Sequence, residues 1–244
     1  METQLIEIAH TFGTPVYVYD ADKIVAQYHR LKNAFNGRTV KLHYAMKALN
    51  NVNVLRLLKH EGAGLDCVSI EEIHLGLRAG FAPEEIMFTP NCVSFDEIVA
   101  GIELGVYINI DNLFMLEKFG QSYGSAVPCC LRLNPHIMAG GNSNISVGHI
   151  DSKFGISIHQ KEQILEIVKK YDMKIIGLHQ HTGSDVKNAD AFTQAASAIL
   201  EMAKDFKDLE IIDLGGGFKV AYKDGDITTN MAELGAVLSS SFLN

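Results

Sequence analysis

The stretch Thr39-Val40-Lys41-Leu42-His43-Tyr44-Ala45-Met46-Lys47-Ala48 predicts a β-strand that ends on a lysine. Apolar side chains occupy every second position from residue 40 to residue 46, which is the spacing of residues that share one face of a strand. Asn50 and Asn51 follow, and either can cap the helix that the apolar residues of 54–58 predict. In a barrel of repeated strand–helix units, Lys47 would lie at the carboxyl end of a strand, where such barrels hold their active sites.

Strand-like segments recur along the whole chain, and helix-like segments separate them. The strands are predicted at 40–46, 64–68, 86–90, 107–110, 128–133, 175–180 and 210–214. Capping boxes of the form Ser-x-x-Glu begin helices at Ser69 and Ser94, and Gly62, Gly80 and Gly105 stand where helices should end. Near-continuous apolar strands alternating with amphipathic helices predict a parallel sheet covered by helices. Seven units without a G-x-G-x-x-G turn favour a TIM-type (β/α)8 barrel over a doubly wound sheet.

The chain is predicted to have a short leading part, residues 1–38, and an incomplete barrel, residues 39–244. The leading part holds a helix-like segment, a strand at 14–20 and a second helix that ends near Gly37. The connection from Asn134 to Ile158 is rich in Gly, Asn, Ser and His and is expected to be a mobile loop over the barrel mouth. A last helix is expected over 231–242. Because only seven barrel strands are counted, the chain is expected to stop before the eighth.

Composition narrows the class of protein. The chain has 244 residues, is 47% hydrophobic and carries a net charge of −8, and without a basic block it is not expected to bind nucleic acid. It shows no apolar run of the ~18 residues that cross a membrane, and no signal-peptide core, so a cytoplasmic protein without a membrane partner is expected. The four cysteines form no C-x-x-C pair and are expected to be buried free thiols.

Polar residues follow the predicted strands and would form a ring at one end of the barrel. This ring comprises Lys47, Asp66, Asn91, Asp111, Arg132, Asn134, His179, His181, Ser184 and Gly215–Gly217.

Three elements of the ring carry the chemistry. Lys47 is an ordinary surface charge unless it is desolvated, in which case it becomes a nucleophile toward aldehydes. His179 and His181 face the same side of a strand and could bind a metal, or one ring could stack on a cofactor. The triple glycine at 215–217 is either a simple turn or a loop whose backbone N–H groups approach a phosphate. Together with Ser184, these elements fit pyridoxal phosphate, held by a Schiff base at the lysine and by its phosphate at the glycines.

Seven stretches of the chain, in order, resemble the alanine-racemase-like (fold type III) pyridoxal-phosphate decarboxylases. They are Thr14–Asp20, Tyr44-Ala-Met-Lys-Ala48, Asp66-Cys-Val-Ser69, Leu131-Arg-Leu-Asn-Pro135, Ser152-Lys-Phe-Gly-Ile156, Gly177-Leu-His-Gln-His-Thr-Gly-Ser184 and Asp213-Leu-Gly-Gly-Gly-Phe218. Within that family the chain is most similar to the diaminopimelate decarboxylases, which convert meso-2,6-diaminopimelate to L-lysine. The preference over ornithine and arginine decarboxylases depends on 14–20, Asn134-Pro135 and 152–155.

The resemblance implies roles for matched positions. Lys47 would bind the cofactor covalently, and His181 would stack on the pyridine ring. Ser184 and Gly215–Gly217 would bind the phosphate. Asp66 and Arg132 would lie near the ring and the lysine. The substrate would be an amino acid, and the family implies a homodimer.

The family also carries a Glu-Pro-Gly-Arg-like segment on the eighth strand, whose glutamate pairs with the pyridine nitrogen, and a following β-domain. Neither occurs within residues 1–244. The chain as given is therefore expected to be inactive or nearly so.

The residues are also compatible with two other interpretations of the function. A single-barrel protein that binds pyridoxal phosphate without catalysis has about this length. A metal-dependent barrel hydrolase would use His179 and His181, although it needs further ligands and normally places such a pair on its first strand.

Overall fold

The computed structural model describes residues 2–35, 40–137, 152–187 and 189–241. Helices and strands alternate along these residues. The helices are α1 (Glu2–Phe12), α2 (Ala21–Ala34), α3 (Val52–His60), α4 (Ile70–Ala79), α5 (Phe95–Glu103), α6 (Leu113–Tyr123), α7 (Lys161–Lys170), α8 (Ala189–Ala203) and α9 (Met231–Ser241). The strands are β1 (His43–Ala45), β2 (Gly64–Cys67), β3 (Ile86–Phe88), β4 (Tyr107–Ile110), β5 (Cys129–Asn134), β6 (Ile156–Ser157), β7 (Ile175–Gln180) and β8 (Ile211–Asp213).

The strands form one parallel sheet in the order β1-β2-β3-β4-β5-β7-β8, and the short β6 pairs with β5 beside this path. The spatial order follows the chain without reversal, whereas a doubly wound sheet reverses at its centre. The seven strands of this path are the seven predicted from the sequence, and the barrel prediction is confirmed. All carboxyl ends therefore lie at one rim of a curled sheet.

The core of this sheet is apolar and densely buried. Leu65, Phe88, Ile110, Leu131 and Leu178, from five different strands, each expose 1% or less of their surface. A second buried cluster joins α8 and α9 to the segment after β7; its members are Val186, Phe192, Ala196, Leu234 and Leu238. Burial of apolar side chains is the dominant stabilising contribution, and here it also anchors the connections at the rim.

Helix caps follow the sequence signals, with one difference. Ser94 Oγ accepts the N–H of Glu97 (3.3 Å), and the Glu97 carboxylate accepts the N–H of Ser94 (2.9 Å), so the predicted capping box is complete. Ser69 Oγ likewise accepts the N–H of Glu72 (3.2 Å). The Glu72 carboxylate, however, accepts the N–H of Val68 (2.8 Å) rather than that of Ser69.

The predicted helix ends also match. Gly62, Gly80 and Gly105 all have positive φ, at 90°, 102° and 77°, which is the conformation that ends a helix. Asn230 Oδ1 accepts the N–H of Glu233 (3.3 Å) at the start of α9, in agreement with the predicted last helix.

Three local expectations differ from the structure. Residues 14–20 form no strand, and Tyr17 is 89% exposed, because none of the described residues pairs with this extended segment. The first strand spans only His43–Ala45, and Met46–Ala48 form a 3₁₀ turn. Cys92 is exposed with φ at +57°, whereas Cys67, Cys129 and Cys130 are buried as expected.

The predicted loop at 134–158 is described only at its ends, since residues 138–151 lie outside the described residues. Its carboxyl end carries β6 and a 3₁₀ turn at Ile158–Gln160. Within the described residues, no helix combines the length and the hydropathy that a membrane crossing requires.

Candidate active site

Lys47 lies on the short turn directly after β1. Met46 beside it is fully buried, and the Tyr44 hydroxyl donates a hydrogen bond to the Leu49 carbonyl (3.2 Å) beyond the turn. These contacts fix the backbone on both sides of the lysine. The Lys47 side chain itself is exposed, because the turn leaves it on the rim rather than inside the core. The desolvated state that would activate a lysine is thus not found here.

The charge of Lys47 nevertheless acts on three groups from other strands. It favours the carboxylate of Asp66 on β2, and it disfavours the imidazolium forms of His179 on β7 and of His181 just after it. Since β1 and β7 are far apart in the strand order, these interactions arise from the curl of the sheet. Because electrostatic influence fades with distance, Asp66 and the two histidines lie within range of the charge on Lys47.

Asp66 is half-buried beneath this rim. Burial raises the pKa of its carboxyl to about 6, against the opposing effects of a hydrogen bond with Thr89 and the positive charges of Lys47 and Arg132. A carboxyl with that pKa exchanges its proton close to neutral pH, which is typical of functional sites.

Arg132, His179 and Asp213 form a row across three strands. Arg132 of β5 is in register with His179 of β7, and His179 is in register with Asp213 of β8. Side chains at paired positions point to the same face of a sheet. Burial lowers the pKa of Arg132, and the carboxylates of Asp111, Asp66 and Asp213 oppose that shift.

Phe154 covers the guanidinium of Arg132, whose Cζ lies 4.7 Å from the centre of the ring. The ring also lies 5.0 Å from Lys153 Nζ. Cation–π contacts of this kind hold a cation in place while shielding it from water. The Ser-Lys-Phe-Gly stretch at 152–155 therefore returns to the rim, where Phe154 packs on a candidate site residue.

Both histidines after the apolar run of β7 are uncharged at physiological pH. Burial is the main reason that the pKa of His179 lies well below its ordinary value, and that the pKa of His181 falls to about 3. His179 Nδ1 is 2.8 Å from Asn109 Nδ2, so this imidazole is engaged within the barrel. In the ranges that the structure describes, no group of three or more His, Cys, Asp or Glu side chains could hold a metal ion.

The glycine triplet after β8 lies against the loop after β7. A Cβ at Gly215 would overlap the Gln180 carbonyl, and a Cβ at Gly217 would overlap the Gly183 carbonyl. Gly215 and Gly217 also have φ of +70° and +92°, which side chains rarely adopt. Both positions therefore require glycine, both for their backbone conformation and for their close contact with the loop after β7.

Between them, Gly216 faces open space, since a Cβ there would meet nothing within 4 Å. Ser184, with an exposed side chain, lies alongside: its Cα is 3.2 Å from the position a Gly217 Cβ would take. The close backbone packing on either side of an open centre, with a hydroxyl beside it, fits a phosphate group.

Three of the predicted ring members, Asn91, Asp111 and Asn134, form hydrogen bonds with neighbouring segments of the rim. Asn91 Nδ2 donates to Asp111 Oδ2 (2.5 Å) and to the Lys153 carbonyl (3.2 Å). Asn134 Oδ1 accepts the N–H of His136 (2.9 Å) in the turn after β5. These three predicted ring members lie at the expected strand ends, where they tie the rim segments together.

Sequence reasoning assigned no role to Asp213, His43, Asn109 or Phe154. Asp213 and His43 act on each other electrostatically from β8 and β1, the two ends of the strand order. Asp213 is the last residue of β8, two positions before Gly215, so the rule that selected the other ring members, a polar residue at a strand end, would have found it. Asn109 and His43 lie within strands, and only the register reveals them.

The rim thus brings together a lysine after the first strand, two buried histidines and a glycine loop, which is the arrangement that the resemblance to pyridoxal-phosphate-binding barrels implied. The chain belongs to the pyridoxal-dependent decarboxylase family, whose pyridoxal binding domain matches residues 21–242. Pyridoxal phosphate is the cofactor of that family, and the metal-hydrolase interpretation of the two histidines is set aside.

Similar proteins support this membership. The chain is 31% identical over 244 residues to diaminopimelate decarboxylase from Methanothermobacter thermautotrophicus, covering 97% of this chain and 57% of that relative. A crystal structure of diaminopimelate decarboxylase from Helicobacter pylori, complexed with L-lysine, superposes with a TM-score of 0.90 at 31% identity, over 98% of this chain and 63% of that one. The structure of a lysine/ornithine decarboxylase from Vibrio vulnificus, complexed with putrescine, superposes with a TM-score of 0.84 at 28% identity. The match covers 99% of this chain and 63% of that one. The chain thus spans little more than half the length of such relatives.

Proposed function

We propose that the protein to which these residues belong decarboxylates an amino acid with pyridoxal phosphate, and that its substrate is meso-2,6-diaminopimelate, converted to L-lysine. The observation that carries this proposal is the convergence of Lys47, His181 and the glycine loop at one rim of a barrel from the pyridoxal-dependent decarboxylase family. The names of the similar proteins favour diaminopimelate as the substrate.

Lys47 is the residue we propose to bind the cofactor covalently. When bound, pyridoxal phosphate supplies an electron-accepting ring that stabilises the negative charge left at Cα after the carboxylate departs. The rim position of Lys47 supports this role, because an exposed amine on a fixed backbone is accessible to a ligand that enters from the mouth.

We propose that His181 lies flat against the cofactor ring. Its pKa of about 3 keeps the imidazole uncharged at physiological pH, so it can offer an apolar face without requiring a counter-ion. Ser184 and the Gly215–Gly217 loop would hold the phosphate, for which the open space at Gly216 gives room. Within the loop, the backbone N–H groups of Gly216 and Gly217 would be the donors, because that of Gly215 donates to Asp213.

We propose that Asp66 and Arg132 control charge beneath the cofactor. Asp66, with a pKa near 6, can hold or release a proton near neutral pH. Arg132 is held by Phe154 on one side and faces three carboxylates, so it would keep the floor of the site close to electrical balance.

Substrate choice can be tested through binding as well as turnover. The protein would be saturated with pyridoxal phosphate and titrated with meso-2,6-diaminopimelate, L-lysine, L-ornithine and L-arginine, following the visible absorption band and the release of carbon dioxide. We expect half-saturation at the lowest concentration with diaminopimelate. A clear preference for ornithine or arginine would contradict the substrate, although not the cofactor. The low turnover expected for residues 1–244 alone stays a prediction, which the carbon dioxide measurement tests.

We also propose a homodimer, as the resemblance to the family implies, and a location in the cytoplasm. Sedimentation of the purified protein in the presence of pyridoxal phosphate tests the dimer, since a single species of monomeric mass would contradict it. Cell fractionation tests the location.

A further inference from the structure

Asp213 ends β8, and its carboxylate holds the first residue of the glycine loop. Oδ1 of Asp213 accepts the backbone N–H of Gly215 at 2.8 Å. Gly215 turns sharply at that point, with φ at +70°, and a Cβ there would overlap the Gln180 carbonyl and come within 3.1 Å of the His181 Cα. The hydrogen bond therefore acts where the chain changes direction between the strand and the loop.

Two further contacts hold the same loop from the β7 side. Gln180 Nε2 donates to the Leu214 carbonyl (2.7 Å), and the N–H of Val186 donates to the Gly217 carbonyl (3.0 Å). Both of these fix carbonyl groups. The contact from Asp213 fixes the N–H of the same Leu214–Gly215 peptide group whose carbonyl Gln180 holds, so that the peptide at the start of the loop is held from both sides.

The carboxylate is also surrounded by positive or potentially positive groups. Arg132 from β5 carries a positive charge that favours the ionised form of Asp213, and His43 and His181 would favour it when protonated, while burial opposes it. A negative charge near a phosphate site gives no attraction to phosphate. The role that the geometry leaves for Asp213 is to accept a hydrogen bond and shape the loop, while the positive charge of Arg132 partly offsets its own.

We propose that Asp213 is a positioning residue that presets the glycine loop for the phosphate of the cofactor, an inference that rests on the proposed function. With the loop already ordered, phosphate binding incurs no further loss of backbone freedom. Without the acceptor, the loop must order itself as the ligand binds, and the affinity for the phosphate group falls.

The test compares two ligands that differ only in the phosphate, pyridoxal phosphate and pyridoxal. Dissociation constants would be measured by absorbance for the wild type, Asp213→Ala and Asp213→Asn, which retains an acceptor oxygen. Asp226→Ala is the matched control, because Asp226 Oδ2 accepts two backbone N–H groups (2.9 and 3.2 Å) in a surface turn farther along the chain. Urea unfolding of each variant would show that the fold is retained.

We expect Asp213→Ala to weaken pyridoxal phosphate roughly tenfold, about the worth of one hydrogen bond, while pyridoxal changes less than about twofold. Asp213→Asn should restore most of the difference, and Asp226→Ala should show none. Amide hydrogen exchange at Gly215, measured without cofactor, should accelerate in Asp213→Ala.

An equal loss for both ligands, an Asn variant as weak as the Ala variant, or unchanged exchange at Gly215 would each overturn the inference. Failure of the wild type to bind pyridoxal phosphate more tightly than pyridoxal is a different result. That outcome would contradict the proposed phosphate site, whereas the exchange measurement would still report on the contact between Asp213 and Gly215.

Discussion

Because of Asp66, we expect the stability of the protein to fall as the pH rises. Its pKa in the folded protein is about 6, above the ordinary value of 3.8, mainly because of burial. Between these two values the folded state binds the proton more tightly than the unfolded state does. The free energy of unfolding should therefore fall as the pH rises through the range of about 4 to 6 because of this residue, the reverse of the usual behaviour of paired carboxylates.

The magnitude follows from the difference of about two pKa units. At ~1.36 kcal/mol per unit, ionisation of Asp66 costs the fold at most about 3 kcal/mol. Because the side chain is only half-buried and solvent screens part of this cost, about 1–2 kcal/mol is expected. Asp66→Asn cannot ionise, and its amide can still form a hydrogen bond with Thr89. The variant should thus be close to wild type at pH 4 and more stable by about 1–2 kcal/mol at pH 7.5.

Urea unfolding of both proteins at pH 4.0 and 7.5, without cofactor, measures the four free energies. The effect of the substitution on the free energy of unfolding at pH 7.5, minus its effect at pH 4.0, isolates the ionisation of Asp66, because the two proteins share all other titrating groups. Asp224→Asn, a substitution in an exposed loop, serves as the control and should show no such difference. If Asp66→Asn changes stability equally at both pH values, or destabilises the protein at pH 7.5, the electrostatic account of the rim is wrong.

Three further predictions concern the glycine loop, the thiols and the aromatic cover of the site. Gly217→Ala should cost more stability and more affinity for pyridoxal phosphate than Gly225→Ala, measured by urea unfolding and by absorbance titration, since both positions have positive φ but only the first Cβ would overlap backbone. In the native protein one thiol should react rapidly with a disulfide reagent, and Cys92→Ser should abolish that fast phase; a fast phase that persists would contradict it. Phe154→Ala should lower the free energy of unfolding by at least ~1 kcal/mol through the loss of its contact with Arg132, and a variant as stable as the wild type would refute that role.

The positions of the strands and of the polar residues that follow them could be predicted from the sequence, because they depend on local patterns. Apolar alternation, Ser-x-x-Glu caps and glycines after helices each reflect interactions within a few residues. Ser94 and Gly80 illustrate this, since each takes the conformation that its immediate neighbours predict.

What the sequence could not provide depends on distant partners. The stretch at 14–20 has the composition of a strand, but a strand also needs a neighbour with which to pair. The row that places Arg132 beside His179 and Asp213 is set by strand register, which no local pattern specifies. The exposure of Lys47 depends on a 3₁₀ turn that replaced the last residues of the predicted strand.

The central claim is that Lys47 binds pyridoxal phosphate covalently, and its most direct test is the identity of the labelled lysine. The protein would be mixed with pyridoxal phosphate, reduced with borohydride and digested, and the modified residue would be found by mass spectrometry. The wild type should carry the pyridoxyl group on Lys47 and lose its visible absorption band on reduction, and Lys47→Ala should show neither band nor adduct. An unchanged band in Lys47→Ala, or an adduct on another lysine, would contradict the account.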